Sequence, residues 1–404
     1  MKTVFIKGTV IDATGAPARP DCTVTVENGR IASVEEGAPA PDAGEDVRVI
    51  DLSGKYLLPG FWEVHTHLGD LIPDPHNYLE TEDLQDYTIR AGRNAMDALR
   101  AGITGIRTVG DSSFVDVAWK RAFAMGVMAG PRLFVSTRAI SMTGGHGHGT
   151  LGALEADGPW DIVKSARENM KRGADWVKLM VTGGIMTAGQ TMGEAQLTID
   201  EIRAGVNVTH ARGKRVAVHA WGTEGVKRSL HAGVDSVEHG LLDDEAVELF
   251  LEKGAFYVPT ICCTQDDDFI DELPQYQIDK ARAAQSIHRE GLQKAIKAGV
   301  KIAVGSDSTP INEFNKRELE FLVACGMSPM DTIIAATRTS ADLCGVLGDV
   351  GTIEVGKLAD LVVLDEDPLK DISAARKVAM VFKEGKRIAL ETDEATTDYM
   401  ELYC

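Results

Sequence analysis

Two histidines separated by one residue, His65-Thr66-His67, close the apolar run Tyr56-Leu57-Leu58-Pro59-Gly60-Phe61-Trp62-Glu63-Val64. Residues two apart on a β-strand point to one face, so both imidazoles are presented together. Such a pair is half of a metal site and directs attention to later strand ends. Lys178 lies in Asp175-Trp176-Val177-Lys178-Leu179-Met180-Val181, His219 closes the run 215–219, His239 closes 236–239, and Asp307 follows 301–305. Singly, each has an ordinary explanation: a strand-end histidine is commonly a hydrogen-bonded structural residue, and an aspartate after a strand a turn or cap. Four histidines and an aspartate at successive strand ends are better explained together, as ligands.

Lys178 is the odd member. An ammonium has no lone pair for a metal, and an unpaired charge among apolar neighbours is costly. Either it forms a salt bridge or snorkels, which chemistry alone favours, or it reacts with carbon dioxide. The resulting carbamate is carboxylate-like and able to bridge two divalent ions.

The other histidines divide simply. His210, His231 and His288 fall in helical stretches and His76 in a loop, and none needs a catalytic explanation. His146 and His148 sit in Thr143-Gly144-Gly145-His146-Gly147-His148-Gly149, where glycines let the backbone bend. That segment reads either as a surface loop with adventitious metal affinity or as a loop over a site. The uncharged loop 182–193 reads as a lid or pocket wall, and Trp221 directly follows a strand.

The elements that must position these residues alternate. Strands are expected at 60–67, 105–109, 132–136, 176–181, 215–219, 236–239, 256–259 and 301–305, separated by helical stretches such as 84–101, 162–172 and 278–298. Ala101-Gly102, Ala232-Gly233, Lys253-Gly254 and Ala298-Gly299 supply glycine stop signals. Eight such units imply an α/β (β/α)8 TIM barrel, whose catalytic groups gather at the C-terminal strand ends. Short strands at 4–6, 24–26, 31–34 and 47–50, a surface loop at 36–45, and strand-and-turn character at 351–364 and 378–390 imply a small β-sandwich built from both termini. The expected division is a sandwich of 1–57 plus 350–404 around a catalytic barrel of 58–349.

Composition sets the outer limits. The chain has 404 residues, 44% hydrophobic and 25% charged, ordinary for a globular protein. No apolar run reaches membrane-spanning length, and the opening Met1-Lys2-Thr3-Val4-Phe5-Ile6-Lys7-Gly8 reads as a strand and not a signal peptide. A cytoplasmic location is expected by default. The net charge of −19, from 42 basic and 61 acidic residues, argues against nucleic-acid and anionic-membrane partners. Six scattered cysteines show no disulfide or zinc-knuckle framework, and Cys262-Cys263 reads as small residues packing near the barrel rim.

The segment Pro59-Gly60-Phe61-Trp62-Glu63-Val64-His65-Thr66-His67 resembles the signature of the amidohydrolase superfamily. The resemblance spans essentially the whole chain, to Gly356-Lys357-Leu358-Ala359-Asp360-Leu361-Val362-Val363. It is similar in particular to the imidazolonepropionase-like group that includes metal-dependent prolyl dipeptidases and carboxypeptidases, through Gly130-Pro131-Arg132-Leu133, Thr143-Gly144-Gly145-His146, Val177-Lys178-Leu179, Val218-His219-Ala220 and Glu238-His239-Gly240. The resemblance implies two zinc ions bridged by an N6-carboxylated Lys178. It implies that His65 and His67 hold the first ion, that His219 and His239 hold the second, and that Asp307 completes the first site. It further implies that a metal-bridging hydroxide attacks the amide, that Asp307 carries the proton from water to the departing amine, and that His146 donates to the substrate carbonyl. Trp221 stands where related prolyl dipeptidases have a substrate-binding tyrosine. An indole donates but cannot accept, so a pocket for an aromatic or apolar group is an equal expectation there, and His148 is a further candidate substrate contact.

The function expected is therefore metal-dependent hydrolysis of a small-molecule amide, a dipeptide or N-acyl amino acid, by a homo-oligomeric enzyme. The alternatives are hydrolysis of a cyclic amide or amidine such as an imidazolone-type ring, and an interaction protein built on the same barrel. The second would follow loss of ligands, and this chain has lost none.

Overall fold

The computed structural model describes residues 2–37, 46–71, 82–148, 152–309 and 311–390. His76, Cys404, most of the expected loop 36–45 and the last 14 positions of the expected sandwich segment, 391–404, lie outside the described residues.

The N-terminal strands are β1 (Lys2–Val10), β2 (Arg19–Glu27), β3 (Arg30–Glu36), β4 (Val47–Asp51) and β5 (Tyr56–Pro59). The barrel region contributes β6 (Phe61–Thr66), β7 (Ile103–Thr108), β8 (Arg132–Phe134), β9 (Ile140–Ser141), β10 (Leu154–Glu155), β11 (Trp176–Met180), β12 (Arg215–His219), β13 (Ser236–Glu238) and β14 (Phe256–Val258). After it come β15 (Leu361–Leu364), β16 (Val378–Lys383) and β17 (Lys386–Ile388).

Strands from both ends of the chain share one sheet, in the order β17-β16-β15-β5-β1-β2-β3, with β4 also paired to β1. The first half of β1 pairs with β4, while Thr9 and Val10 pair with β5. Between the halves the register shifts on both sides of Gly8, and Lys7 takes a φ of 60°. Such a bulge bends a strand sharply. The sheet consequently folds over, and Phe5 of β1 meets Phe382 of β16 edge to face at 4.8 Å. Val24, Leu52, Leu57 and Val363 complete the buried layer. The expected sandwich is thus one continuous, folded sheet.

The barrel is closed by backbone hydrogen bonds. Parallel pairs run β6-β7-β8 and β11-β12-β13-β14. Val135, just past β8, accepts from Asp175 N and Trp176 N at the start of β11. At the other seam Tyr257 N donates to Lys301 O and Ala303 N to Tyr257 O, while Val64 N donates to Val304 O. The eighth expected strand, 301–305, therefore closes the circle but keeps only the bridge Tyr257–Ile302. Its remaining donors turn elsewhere: Val304 N to Ser340 Oγ and Ser306 N to Glu63. β9 and β10, two residues each, are additions that no hydrophobic pattern announces.

The helices confirm the alternation. Leu84–Arg100 and Gln275–Ala298 match expectation closely, and Gly158–Arg172 begins a turn earlier than expected because Pro159 fits the first turn of a helix. Gly233, Gly254 and Gly299 cap their helices in the left-handed region. Among the described residues, no helix is long and apolar enough to cross a membrane, and Cys22, Cys262, Cys263, Cys325 and Cys344 are free thiols.

Candidate active site

The C-terminal ends of the barrel strands bring five histidines into a continuous arc. Ring centroids lie 5.9 Å apart for His67 and His65, 4.7 Å for His65 and His239, 4.5 Å for His239 and His219, and 4.1 Å for His219 and His146. All five are buried. Asp307 faces the first end of the arc, with Oδ1 3.4 Å from His65 Nε2 and 3.3 Å from His67 Nε2. Ligand atoms of His65, His67 and Asp307 all lie within 4.8 Å of one another, so this group could hold one metal ion. Both His239 (φ 71°) and Asp307 (φ 57°) take the left-handed backbone that L-residues rarely adopt, which turns their side chains off the strand direction into the site. Gly305 permits the approach: a Cβ there would stand 2.5 Å from His65 Cβ.

The hydrogen bonds fix which nitrogen of each ring is free. His67 Nδ1 lies 2.5 Å from Gly110 O, and a carbonyl only accepts, so Nδ1 carries a proton and Nε2 is the nitrogen turned to the site. Against the effect of burial, the hydrogen bond with Asp307 raises this ring to about 9, so Nε2 must give up its proton to bind a metal. His65 Nδ1 donates to Glu238 Oε2 at 2.9 Å, again freeing Nε2. Thr260 gives its hydroxyl proton to Pro259 O and so accepts from His239 Nδ1 at 2.8 Å, leaving Nε2 free. His219 is reversed: Nε2 donates to Gly183 O at 3.3 Å, and Nδ1 keeps the lone pair. Anchoring one ring nitrogen while baring the other is how metal-binding histidines are oriented.

Charge follows the same division. Burial works against the charge on Asp307, yet His65 and His67 hold its carboxyl well below the usual range. Burial pushes His219 and His239 far down, so both rings are neutral and able to coordinate. Neutral imidazoles beside a carboxylate are the donor set that zinc-like divalent ions take.

Lys178 lies on β11 level with Ala217 of β12, one side-chain pair below His219. It is 1% exposed, which rules out snorkelling. The salt bridge expected from chemistry alone is also not formed: among the described residues no ion pair or hydrogen bond reaches its Nζ. The reason is competition. Glu238 is held by Arg107 through two 2.8 Å bonds and by His65, while Asp307 faces the histidines. Burial brings Lys178 down to about 8, against the pull of Glu238 and Asp307, so a neutral amine is accessible near neutral pH.

The two loop histidines differ. His146 is buried, stacks on His219, and takes Thr187 Oγ1 at 3.0 Å on Nδ1, while burial pushes it to about 3 and keeps it neutral. Gly184 makes room, since a Cβ there would come within 2.3 Å of its Cε1. His148 is exposed, with Nδ1 2.9 Å from Gly145 O of its own loop, and is not brought to the site. Trp221 lies flat against His239, centroids 4.8 Å apart and planes 8° apart, and lines a cavity whose floor is His146, His219 and Asp307. Ile185 and Met186 form one wall of it. The loop 182–193 is therefore a wall and not a free lid, since Lys280 Nζ donates to Gly184 O, Ile185 O and Thr187 O.

Three residues that brace the site escape a reading restricted to metal ligands. Arg107 on β7 donates to Val64 O, Ser236 Oγ and both oxygens of Glu238, and Arg107 and Glu238 are wholly buried. Glu63, on β6, accepts from His65 N, Ser306 N and Ser306 Oγ, tying the strand that carries the first histidines to the turn that carries Asp307. Burial raises Glu63 to about 8. The signal was present: a charged residue inside a buried strand must find a partner.

The amidohydrolase family model matches residues 56–388. The ochratoxinase of Aspergillus niger is 29% identical over 422 residues, covering 95% of this chain and 86% of that protein. Its crystal structure aligns with a TM-score of 0.85 at 27% identity, covering 96% of this chain and 95% of the other. A crystal structure of an Xaa-Pro dipeptidase with methionine bound in its active site is 32% identical, with a TM-score of 0.88, covering 96% of this chain and all of the other. With its barrel, its folded sheet and a family match over most of its length, this chain belongs to the amidohydrolase family.

Proposed function

We propose that this protein hydrolyses a small amide, of the kind found in dipeptides and N-acyl amino acids, with two divalent ions, zinc by preference. The convergence of His65 Nε2 and His67 Nε2 on Asp307 Oδ1, with both Nδ1 atoms anchored, carries this reading. His65, His67 and Asp307 would hold the first ion, and His219 and His239 the second. Lys178, buried and without an ion-pair partner among the described residues, would join the two as its carbamate. The bound ions supply polarisation of the scissile carbonyl and a water acidified to near neutrality.

The chain's own residues then divide the work. Asp307, held ionised, accepts the proton of the attacking water and returns it to the departing amine nitrogen. His146, neutral and with Nδ1 engaged by Thr187, offers Nε2–H to the carbonyl oxygen as negative charge develops there. Gln196, whose Oε1 accepts from His146 N at 2.8 Å, fixes that loop.

Counting bound metal in purified protein, then stripping it with a chelator and titrating zinc back, tests the reading. Activity on dipeptides or N-acyl amino acids should rise to its limit only at two equivalents. Full activity at one equivalent would overturn the two-ion reading, and turnover confined to ring substrates would overturn the substrate class.

A further inference from the structure

We infer that the cavity above Asp307 receives an uncharged, apolar part of the substrate, so that among small amides the enzyme works best on those whose ends are capped and is slower on the free carboxylates. The inference rests on the amide-hydrolase reading and ranks substrates within it: the terminally capped derivatives of dipeptides and N-acyl amino acids above the free acids.

Above its floor the cavity is walled by Ile185, Met186, Trp221, Cys263, Phe269 and Leu273. Among the described residues lining it, Asp307 alone carries a formal charge, and in the proposed function that carboxylate is a metal ligand. Gln277 also lines it, and its amide nitrogen is already engaged: Nε2 lies 2.9 Å from Tyr276 Oη and 3.4 Å from Met186 O.

The cation nearest to serving a carboxylate is committed elsewhere. Lys280, one turn beyond Gln277 on the helix Gln275–Ala298, donates to three carbonyls of the wall loop at 3.0, 3.3 and 2.7 Å. An ammonium has three protons, and all three are in use. Tyr276 Oη likewise donates to Met186 O at 2.7 Å. The polar groups of this helix end therefore hold the wall in place and leave its inner face apolar.

No other cation is available from the chain. Every Lys and Arg of the sequence lies among the described residues, and none lines the cavity. A carboxylate placed against these walls would lose its water and gain no counter-charge from a Lys or Arg side chain, while the ions proposed for the floor would be engaged by their own ligands and the scissile amide. An aryl or alkyl group would instead bury its surface against Trp221 and Phe269.

Matched pairs of ligands test this on the zinc-loaded enzyme. N-benzoyl-phenylalanine amide and N-benzoyl-phenylalanine differ only in the terminal charge, and their ketomethylene isosteres cannot be hydrolysed. Calorimetry should show the neutral isostere binding at least about tenfold tighter, and kcat/KM should favour the neutral amide similarly. Met186→Arg should move both ratios toward the carboxylate by a comparable factor, because the bonds from Tyr276 and Gln277 go to the residue 186 carbonyl and survive the change. Equal or tighter binding of the carboxylate, or a ratio unmoved by Met186→Arg, would overturn the inference. If the neutral isostere binds tighter but neither amide is cleaved, the hydrolase reading fails and the cavity assignment stands. If both are cleaved and the carboxylate is preferred, the cavity assignment fails alone.

Discussion

On the β6 side of the site, His65 and His67 are held by charge, Glu238 with Arg107 behind one and Asp307 between both. On the β12–β13 side, His219 and His239 are held by a backbone carbonyl and a hydroxyl, and by stacking between His146 and Trp221. The first side is preassembled by ion pairs in low dielectric, where each pair must be complete to be tolerated. The second is a set of neutral rings whose arrangement costs little and also gains little. Lys178 lies under this second side with no hydrogen-bond or ion-pair partner among the described residues. The two sides therefore predict different sensitivities: the first should fail through folding, the second through metal content and rate.

The largest effect should come from removing Lys178, the residue proposed to join the two sides. Lys178→Ala takes an amine and not a formed salt bridge out of the core, so stability should fall by no more than a few kcal/mol, the range of large-to-small core changes. Activity should fall by at least ~10³-fold in kcat/KM, equivalent to about 4 kcal/mol. Bound zinc should drop from about two equivalents to about one. Normal turnover by this variant would remove Lys178 from the mechanism. Restoration of metal and rate by a short-chain carboxylate added to the variant would sharpen the assignment to a bridging anion.

The next largest effect should fall on the braced side. Arg107→Met leaves Glu238 buried without its cation, and breaking such a pair costs ~3–5 kcal/mol. Thr260→Ala, which takes the hydroxyl from His239, should cost only ~1 kcal/mol. Denaturant unfolding of both variants measures the contrast, and comparable losses would dissolve the distinction between the sides.

The difference also marks what could be read from sequence. Barrel strands covered on both faces appear as continuous apolar runs, and their helices end in glycine, so β6 to β8, β11 to β14 and the positions of His65, His67, His219, His239 and Asp307 are legible. The segment 301–305 reads as a full strand because its apolar pattern is real. The sequence cannot show that Ser340 and Glu63 take the donors a ladder would have used. His146 and His148 share the same Gly-His-Gly setting, and only Thr187 and Gln196, about 40 and 50 residues away, draw one inward. Lys178 is the clearest limit. Whether a buried lysine has a partner depends on which acids are already taken, and the commitment of Glu238 to Arg107 spans three strands.

Glu318 provides the most selective test, because it braces the second side from a distance. It is fully buried at the start of the helix Arg317–Ala324 and accepts from Ile261 N at 2.8 Å and Cys262 N at 2.9 Å, beside the Thr260 that holds His239. Burial raises its carboxyl to about 7, the two N–H bonds notwithstanding. A carboxyl whose folded value lies above its unfolded one stabilises the fold below the unfolded value, and that contribution is lost as pH rises through the folded value. With an ordinary value near 4.5, the window runs from about pH 4.5 to just above 7 and the loss is ~3 kcal/mol. Glu318→Gln removes the titration while keeping the shape, at the constant cost of one mismatched N–H. The stability difference between the wild-type protein and this variant should therefore shrink by that amount between pH 4.5 and 8, with other titrations cancelling. A difference that stays flat across the window would mean that Glu318 is ionised throughout, and that the second side, like the first, is braced by a buried charge.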